Sequence, residues 1–339
     1  MGNQIMAQAA LEAGAQSMYS YPITPASEIL ETWVAFCREN PALTYLQTED
    51  EMAAGFCCIG ATFAGQLSFT ATAGPGNILM QDAFSMAEAQ RLPVVAMIVQ
   101  RGGLSTSTVI YSQEEVRLTC FGGNGEGFRI VYSPSGLQEH YDYVLKAFSV
   151  AWKYRFPTFL LSDGYQGKMK GEVVIGETAV DKPTNEPILK QGVNLRNCYN
   201  LEEEIGEIIL KYQDEYAKAR GEIEESEEIE TQDAETVIVA HGIVAGACQE
   251  AVKVLRSQGH KVGLFRPVTL RPFPATKALN SLQKSKRIIF VESALGQLAE
   301  IFKNEVTLPN NNLSGIYKPS VGFTTMEIVE KVKEAIDRT

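Results

Sequence analysis

Hydrophobic and polar positions follow two different periods along the first half of the chain. Short, almost wholly apolar runs bounded by Gly, Pro, Ser or Thr predict buried strands, and Ala-rich segments with apolar residues at helical spacing predict helices. The predicted strands are 17–20, 43–47, 67–72, 93–99 and 158–161, and the predicted helices are 3–13, 26–38, 51–64, 78–90 and 144–152. Apolar strands separated by helices indicate a parallel sheet covered on both faces. We therefore expect an α/β domain over residues 1–165.

The pattern changes between residues 166 and 234. Residues 201–220 place apolar side chains at helical spacing on an otherwise charged segment, and residues 221–228 are mostly acidic. An acidic run of this kind is typical of a solvated helix or loop. We interpret 166–234 as a linker region with a helical segment.

Regular alternation of strands and helices resumes after residue 234. The predicted elements are strands at 236–240, 261–265 and 287–291 and a helix at 245–258. This order predicts a second, smaller α/β domain over residues 235–339, with its own parallel sheet.

Composition restricts the partners that the chain can have. The 339 residues carry a formal net charge of -11, whereas nucleic acids and anionic membranes attract clustered Lys and Arg. The longest apolar runs have the length of strands, too short to cross a bilayer, and residues 1–4 lack the basic start of a secretory signal. We expect a cytoplasmic chain that binds neither nucleic acid nor membrane.

The cysteines and histidines predict no metal site on this chain. The six cysteines include no C-x-x-C pair, and the three histidines are scattered. Iron–sulfur clusters and structural zinc need several ligands at short, repeated spacings. We assign no metal ligands and expect reduced, mostly buried thiols.

Three loops lie where ligands of open α/β sheets bind, beyond the carboxyl ends of strands. The first, TEDE at 48–51, opens a helix rich in small residues. Thr48 and Glu51 have the spacing of a capping box, which is a sufficient local explanation. However, Gly60 follows Glu51 by nine residues, with small residues between them. That spacing selects Glu51 over its neighbours Glu49 and Asp50 as a candidate functional carboxylate.

The second and third loops combine stiff backbone with hydroxyl groups. Residues 68–77, SFTATAGPGN, form a Thr-rich strand and a Gly-Pro-Gly turn that lacks the spacing of a dinucleotide fingerprint. Residues 21–25, YPITP, form a proline-stiffened loop that can hold the Thr24 hydroxyl still for a substrate.

Together these motifs resemble the alpha-type subunit of 2-oxoacid:ferredoxin oxidoreductases, and YPITP is the most specific of them. The resemblance covers nearly the whole chain, with the acidic linker as its least specific part. It includes GNQ at 2–4, QRGGLST at 100–106, His241-Gly242, Arg266-Pro267, PFP at 272–274, and Glu292 before GQL at 296–298. Leu104 stands where the family has proline. The implied fold is a thiamine-diphosphate pyrimidine-binding-type, doubly wound parallel sheet followed by a smaller transketolase-C-like α/β domain.

The resemblance also implies roles for individual residues. Glu51 corresponds to the helix-opening glutamate that contacts the aminopyrimidine of thiamine diphosphate and activates the cofactor. Thr24 would donate a hydrogen bond to the 2-oxoacid substrate, and Arg101 would clamp its carboxylate. A surface or interface ion pair is the alternative for Arg101. The other residues expected to border the cofactor are Pro22, Gly74 and Gly76.

The implied reaction is CoA-dependent oxidative decarboxylation of a 2-oxoacid with ferredoxin as electron acceptor, or the reverse carboxylation. A beta-type partner subunit would supply the diphosphate and Mg²⁺ site, because SDGY at 162–165 lacks the downstream Asn of that site and is interpreted as a loop. Iron–sulfur clusters would lie on partner subunits, which in larger assemblies include gamma and ferredoxin-like delta chains. The expected substrate is 2-oxoglutarate, with a branched-chain 2-oxoacid, pyruvate, an aryl pyruvate or oxalate as alternatives.

Two other functions fit the same motifs. The chain could be a component of another thiamine-diphosphate enzyme, such as an NAD-linked 2-oxoacid dehydrogenase. It could also be a non-catalytic structural subunit that kept the fold. Acceptor specificity distinguishes the first alternative, and substitution of Glu51 distinguishes the second.

Overall fold

The computed structural model describes residues 1–176, 180–181, 183, 186–190, 195–308 and 312–337. Its strands, numbered in chain order, are β1 (Ser17–Ser20), β2 (Thr44–Gln47), β3 (Ser68–Thr72), β4 (Val95–Gln100), β5 (Ile130–Tyr132), β6 (Thr158–Asp163), β7 (Ser226–Ile229), β8 (Thr236–Val239), β9 (Val262–Pro267), β10 (Thr269–Arg271), β11 (Arg287–Glu292) and β12 (Leu313–Tyr317).

The helices are numbered in the same way. They are α1 (Gly2–Glu12), α2 (Ser27–Glu39), α3 (Glu51–Phe63), α4 (Pro75–Leu79), α5 (Gln81–Ala89), α6 (Val116–Phe121), α7 (Leu137–Tyr154), α8 (Gly164–Lys168), α9 (Glu202–Ile223), α10 (Gly242–Ser257), α11 (Ala275–Leu282), α12 (Gln297–Glu305) and α13 (Thr325–Asp337). Among the described helices, none combines the length and apolarity needed to cross a membrane.

Two sheets organise the described part of the chain. The first has the strand order β10-β5-β6-β4-β3-β1-β2 and is parallel except for β10, which pairs antiparallel with β5. The second has the order β12-β11-β8-β9-β7, with only β7 antiparallel. Parallel sheets of this kind confirm the predicted α/β class. The domain boundaries at residues 165 and 234 stay a prediction, since β7 and β10 each join a sheet across them.

The first sheet is buried on both faces, as its sequence pattern predicts. In β4, Val95 and Met97 pack into the core beside α1, α2 and α7, whereas Ala96 and Ile98 pack into the core beside α3 and α5. Side chains of a strand alternate between faces, so a continuous apolar run is required here. The two cores place the helices on opposite sides of the sheet and leave the strand ends free for loops.

Several local predictions differ from the structure. The capping box is wrong: Asp50 caps α3, its carboxylate accepting from the Ala53 N–H at 2.7 Å, and Thr48 donates to the Asp50 carbonyl instead. The helix predicted over 78–90 breaks at Met80 into α4 and α5. SDGY is no loop, because the Asp163 carboxylate caps the short helix α8.

The acidic run 221–228 agrees with its prediction only in part. It contains the end of α9 and the start of the edge strand β7, whose backbone pairs with β9. Glu227 on β7 forms an ion pair with Arg266 on β9 at 2.8 Å. Backbone pairing with a distant strand thus overrides the local preference of a charged segment for loop or helix.

Candidate functional site

The predicted site residues lie at the carboxyl ends of four neighbouring parallel strands of the first sheet. The strands β4, β3, β1 and β2 are neighbours in that order, and all four run in the same direction. Their carboxyl ends lead to Arg101, the Gly-Pro-Gly turn, the YPITP loop and Glu51 respectively. Residues far apart in sequence therefore meet where an open α/β sheet binds ligands.

Glu51 is the first residue of α3 and is only 5% exposed. Burial raises the pKa of its carboxyl group above the usual value; the Glu51 backbone N–H opposes this rise, the Asp50 charge adds to it, and the Arg101 charge lowers it. No other side chain among the described residues donates a hydrogen bond to this carboxyl group. Glu49, by contrast, is exposed. The fold therefore singles out Glu51 among the three adjacent acids.

The two glycines of the turn lie against the two charged side chains of the site. A Cβ atom on Gly76 would lie 2.6 Å from Glu51 Oε1 and 2.1 Å from Thr72 Oγ1. A Cβ atom on Gly74 would lie 2.7 Å from Arg101 Nε, and its φ of 52° also favours glycine. Glycine is thus required at both positions for backbone to approach the charged groups so closely.

Buried polar atoms without partners cluster around this turn. The hydroxyl groups of Thr70 and Thr72 on β3 and the Nε of Arg101 are buried and have no hydrogen-bond partner. Unsatisfied buried polar groups are costly, so three of them next to one another call for an explanation. Together with the open Glu51 carboxyl group, they fit a ligand that carries its own donors and acceptors.

Arg101 is 6% exposed and connects the turn to the YPITP loop. Its Nη1 donates to the Thr24 carbonyl at 2.9 Å, and Arg101 forms no ion pair with any residue that the structure describes. The loop is anchored from behind as well, since Asn3 Nδ2 donates to the Pro25 carbonyl at 2.6 Å. The Thr24 side chain and Pro22 are exposed on the same loop.

Glu115 connects the glycine turn to Arg101, and the sequence motifs did not identify it. Its fully buried carboxylate accepts from the N–H groups of Gly74 at 2.8 Å and Arg101 at 3.0 Å, and from Asn77 Nδ2 at 3.0 Å. Burial raises the pKa of the Glu115 carboxyl group, and these donors oppose the rise. Glu115 lies fourteen residues beyond Arg101 in a loop without a motif, so no sequence signal pointed to it.

The donor set offers nothing to a metal ion. Among the described residues, no group of three or more His, Cys, Asp or Glu side chains could hold one. The site consists of one buried carboxyl group, one buried guanidinium, hydroxyl groups and tightly packed glycine backbone. This combination suits a neutral heterocycle beside a small carboxylic acid.

Family models match almost the whole chain. Residues 8–237 match the family described as "Pyruvate flavodoxin/ferredoxin oxidoreductase, thiamine diP-bdg", and residues 234–322 match "Pyruvate:ferredoxin oxidoreductase core domain II". The chain therefore belongs to the pyruvate flavodoxin/ferredoxin oxidoreductase family, and the first part is a thiamine-diphosphate-binding domain. The resemblance predicted from the motifs is confirmed.

Curated relatives are subunits of 2-oxoacid oxidoreductases. The 2-oxoglutarate synthase subunit KorA of Methanocaldococcus jannaschii is 32% identical over 88% of this chain and 88% of its own length. The ketoisovalerate oxidoreductase subunit VorB of Methanothermobacter marburgensis is 34% identical over 89% of this chain and 88% of its own length. The two relatives are named for different substrates at similar identity, so similarity alone leaves the substrate open.

Solved structures share the fold. A 2-oxoglutarate:ferredoxin oxidoreductase from Magnetococcus marinus, with 2-oxoglutarate, coenzyme A and succinyl-CoA bound, matches 98% of this chain with a TM-score of 0.85 at 24% identity. This chain spans 64% of that solved chain. An inactive split-gene transketolase matches 98% of this chain with a TM-score of 0.61 at 14% identity. The predicted thiamine-enzyme fold is confirmed.

Proposed function

We propose that this chain forms the pyrimidine side of the thiamine-diphosphate site in a 2-oxoacid:ferredoxin oxidoreductase. The observation that carries the proposal is the buried, otherwise unpaired Glu51 carboxyl group against the glycine turn at Gly76. When bound, thiamine diphosphate supplies the nucleophilic carbon and the electron sink for decarboxylation of a 2-oxoacid. The chain's own residues hold the ring, move one proton and position the acid.

Glu51 would hold or accept the proton at the ring nitrogen that faces it. Burial raises the pKa of the Glu51 carboxyl group, and catalytic acids and bases are commonly groups whose pKa is shifted in this way. Exclusion of water strengthens the hydrogen bond between this carboxyl group and a heterocycle. Glu51 is therefore the proposed catalytic residue.

The glycine turn would form the surface on which the ring lies. Gly74 and Gly76 allow close approach, and the unpaired hydroxyl groups of Thr70 and Thr72 are available to polar ring substituents or to water. Pro22, which is exposed on the neighbouring loop, is the remaining proposed cofactor contact. These residues fit the pyrimidine half of the cofactor.

Arg101 and Thr24 would bind the 2-oxoacid. The guanidinium is held by one bond to the Thr24 carbonyl and retains free N–H groups, which suit a planar carboxylate. The exposed Thr24 hydroxyl lies on the same loop and would donate to the keto or carboxylate oxygen. The lack of an ion pair for Arg101 among the described residues supports this role over a structural one.

A partner subunit would complete the site. Exposed apolar side chains flank Glu51 and Gly76 in sequence and are 39% to 55% exposed; they are Tyr45, Leu46, Met52, Ile78 and Leu79. Exposed apolar groups around a functional site are typical of a protein interface. We propose that a beta-type subunit covers them and brings the diphosphate and Mg²⁺ site. Iron–sulfur clusters that pass electrons to ferredoxin would lie on this or further subunits, such as gamma and ferredoxin-like delta chains.

The remaining assignments follow from the same family membership. We propose residues 1–165 and 235–339 as two domains joined by 166–234, and a cytoplasmic location. Coenzyme A would accept the acyl group, and the reaction could run in either direction. The 2-oxoacid would be 2-oxoglutarate or a branched-chain acid, the substrates for which the KorA and VorB relatives are named.

The test is turnover of the reconstituted complex after Glu51→Gln. This variant keeps the shape of the side chain but removes the proton exchange, so we expect kcat to fall by roughly 10²- to 10⁴-fold. Glu49→Gln, the same change on an exposed neighbour, should leave kcat within about twofold.

Viologen reduction and NAD reduction are measured side by side with thiamine diphosphate and CoA present. Unchanged turnover in Glu51→Gln would make the chain a structural subunit. Reduction of NAD in place of viologen would assign it to another thiamine enzyme class.

A further inference from the structure

A cavity opens at the same carboxyl end of the first sheet, next to the YPITP loop. It has a volume of about 610 Å³ and is named here the Ile110 cavity. Its walls come from the YPITP loop, the segment after Arg101, and α8 with the residue that follows it. They include Thr24, Pro25, Val109, Ile110, Tyr165 and Met169. The volume falls within the range of small-molecule sites.

The Ile110 cavity adjoins the proposed substrate-binding residues. Thr24 forms part of its wall, and the carbonyl group of the same residue accepts the hydrogen bond from Arg101 Nη1. In a 2-oxoacid whose carboxylate binds Arg101 and Thr24, the first carbon of the substituent is only two bonds from the carboxylate carbon. The cavity is therefore an adjacent recess for that substituent, with Thr24 common to both.

The lining of the cavity is apolar. Val109 is 46% exposed and Ile110 is 58% exposed, and exposed apolar residues that adjoin one another in this way mark binding surfaces, whereas scattered ones do not. The single charged residue of the lining, Lys168, forms an ion pair with Glu28, and Glu28 also accepts from Asn3 Nδ2 at 2.7 Å. The described part of the wall thus offers no free cation to a second carboxylate on a substrate.

The walls are held in place by contacts from both domains. Tyr165 stacks on Tyr111 with ring centroids 4.5 Å apart, and the Tyr111 hydroxyl donates to Ser293 Oγ, just after β11, at 2.7 Å. A Cβ atom on Gly164 would lie 1.5 Å from the Ile110 carbonyl oxygen, so the loop is packed directly on the start of α8. A wall fixed in this way can select a substrate by shape and polarity.

We propose that the Ile110 cavity receives the substituent of the 2-oxoacid, and that this substituent is uncharged and apolar, a branched alkyl or aryl group. The inference rests on the proposed function and selects among its substrates. A dicarboxylic 2-oxoacid would place its second carboxylate beside Ile110 and Met169, which offer it no hydrogen-bond donor, or would have to compete with Glu28 for Lys168.

The experiment measures kcat/KM of the reconstituted complex for four acids. They are pyruvate, 4-methyl-2-oxopentanoate, phenylpyruvate and 2-oxoglutarate, each with viologen as electron acceptor. Each buried CH₂ group contributes about a fourfold gain, so the three additional carbons of 4-methyl-2-oxopentanoate should give roughly 50-fold over pyruvate. 2-Oxoglutarate should be a poorer substrate than 4-methyl-2-oxopentanoate. The aryl acid distinguishes an aromatic from an aliphatic preference.

Ile110→Lys places a cation in the cavity and should shift the ratio of kcat/KM values toward 2-oxoglutarate by roughly 10-fold or more. Leu104→Lys is the matched control, because Leu104 lies in the same loop, is 90% exposed and does not line the cavity. A wild-type preference for 2-oxoglutarate, or the same ratio in both variants, would overturn the inference. Failure to convert any 2-oxoacid would instead overturn the proposed function.

Discussion

Glu115→Gln separates the positioning of the site from its chemistry. The Glu115 carboxylate binds the Gly74 and Arg101 N–H groups through one oxygen and Asn77 Nδ2 through the other. In the variant an amide NH₂ can replace only one of these oxygens. Asn77 Oδ1 already accepts from Gln81 Nε2 at 2.9 Å, so reorienting the Asn77 side-chain amide would break that bond.

The expected magnitude follows from these bonds. Loss of one charge-assisted hydrogen bond costs about 1.5–3 kcal/mol, and the two bonds that remain weaken because their acceptor is neutral. Removal of a buried charge offsets part of this cost, since burial disfavours the ionised Glu115. We expect the free energy of unfolding at neutral pH to fall by about 2 kcal/mol.

Substrate binding should weaken, because the Glu115 side chain holds the Arg101 backbone N–H less firmly in the variant. We expect KM for the 2-oxoacid to rise by about 10-fold, equivalent to ~1.4 kcal/mol of binding. Urea unfolding of the chain and steady-state kinetics of the complex measure the two effects separately. Glu292→Gln is the control, because Glu292 is also a buried carboxylate that accepts two backbone N–H groups, but at the start of α12.

The reasoning predicts that both variants lose stability and that only Glu115→Gln raises KM. If KM is unchanged in Glu115→Gln, or rises equally in Glu292→Gln, the Glu115 network stabilises the fold without positioning the site.

Two further predictions concern the turn and the end of β6. Gly76→Ala should cost about 1–3 kcal/mol of stability and weaken thiamine-diphosphate binding, because the added Cβ atom would meet Thr72 and Glu51. Gly60→Ala is the control: its Cβ atom meets nothing within 4 Å, so it should stabilise α3 by up to about 1 kcal/mol. Equal effects of the two variants in thermal unfolding would refute the packing argument. Burial raises the pKa of Asp163 to about 7, so the folded state binds its proton more tightly and wild-type stability should fall as pH rises toward 7. Asp163→Asn should therefore gain about 2.5 kcal/mol relative to wild type between pH 5 and pH 8 in urea unfolding, and a pH-independent difference would contradict the shift.

Much of the architecture follows from local patterns. The run in β4 is apolar at every position, and only a strand covered on both faces needs that, so the parallel sheet and its two helical layers are predictable. Short edge elements were not predictable in the same way. β10 has three residues and exists because it pairs with β5, a contact across more than a hundred residues.

The candidate site also contains residues that local sequence patterns identify and residues that they do not. The residues of YPITP, Glu51 with Gly60, and the Gly-Pro-Gly turn were identified in the sequence because rigid loops and small-residue helices have local signatures. The local capping rule nevertheless chose the wrong residue at α3. Asp50 takes the cap and leaves the next residue free to point into the site.

The sequence by itself determined the α/β class, the family and which loops carry chemistry, since periodicity and motifs act over a few residues. Only the tertiary structure decided that Glu115 anchors both Gly74 and Arg101, that the Thr24 carbonyl holds the guanidinium, and that Ile110 faces an apolar cavity. Each of these depends on strand order and on hydrogen bonds between distant segments, and such contacts form only after the sheet brings the carboxyl ends of its strands together.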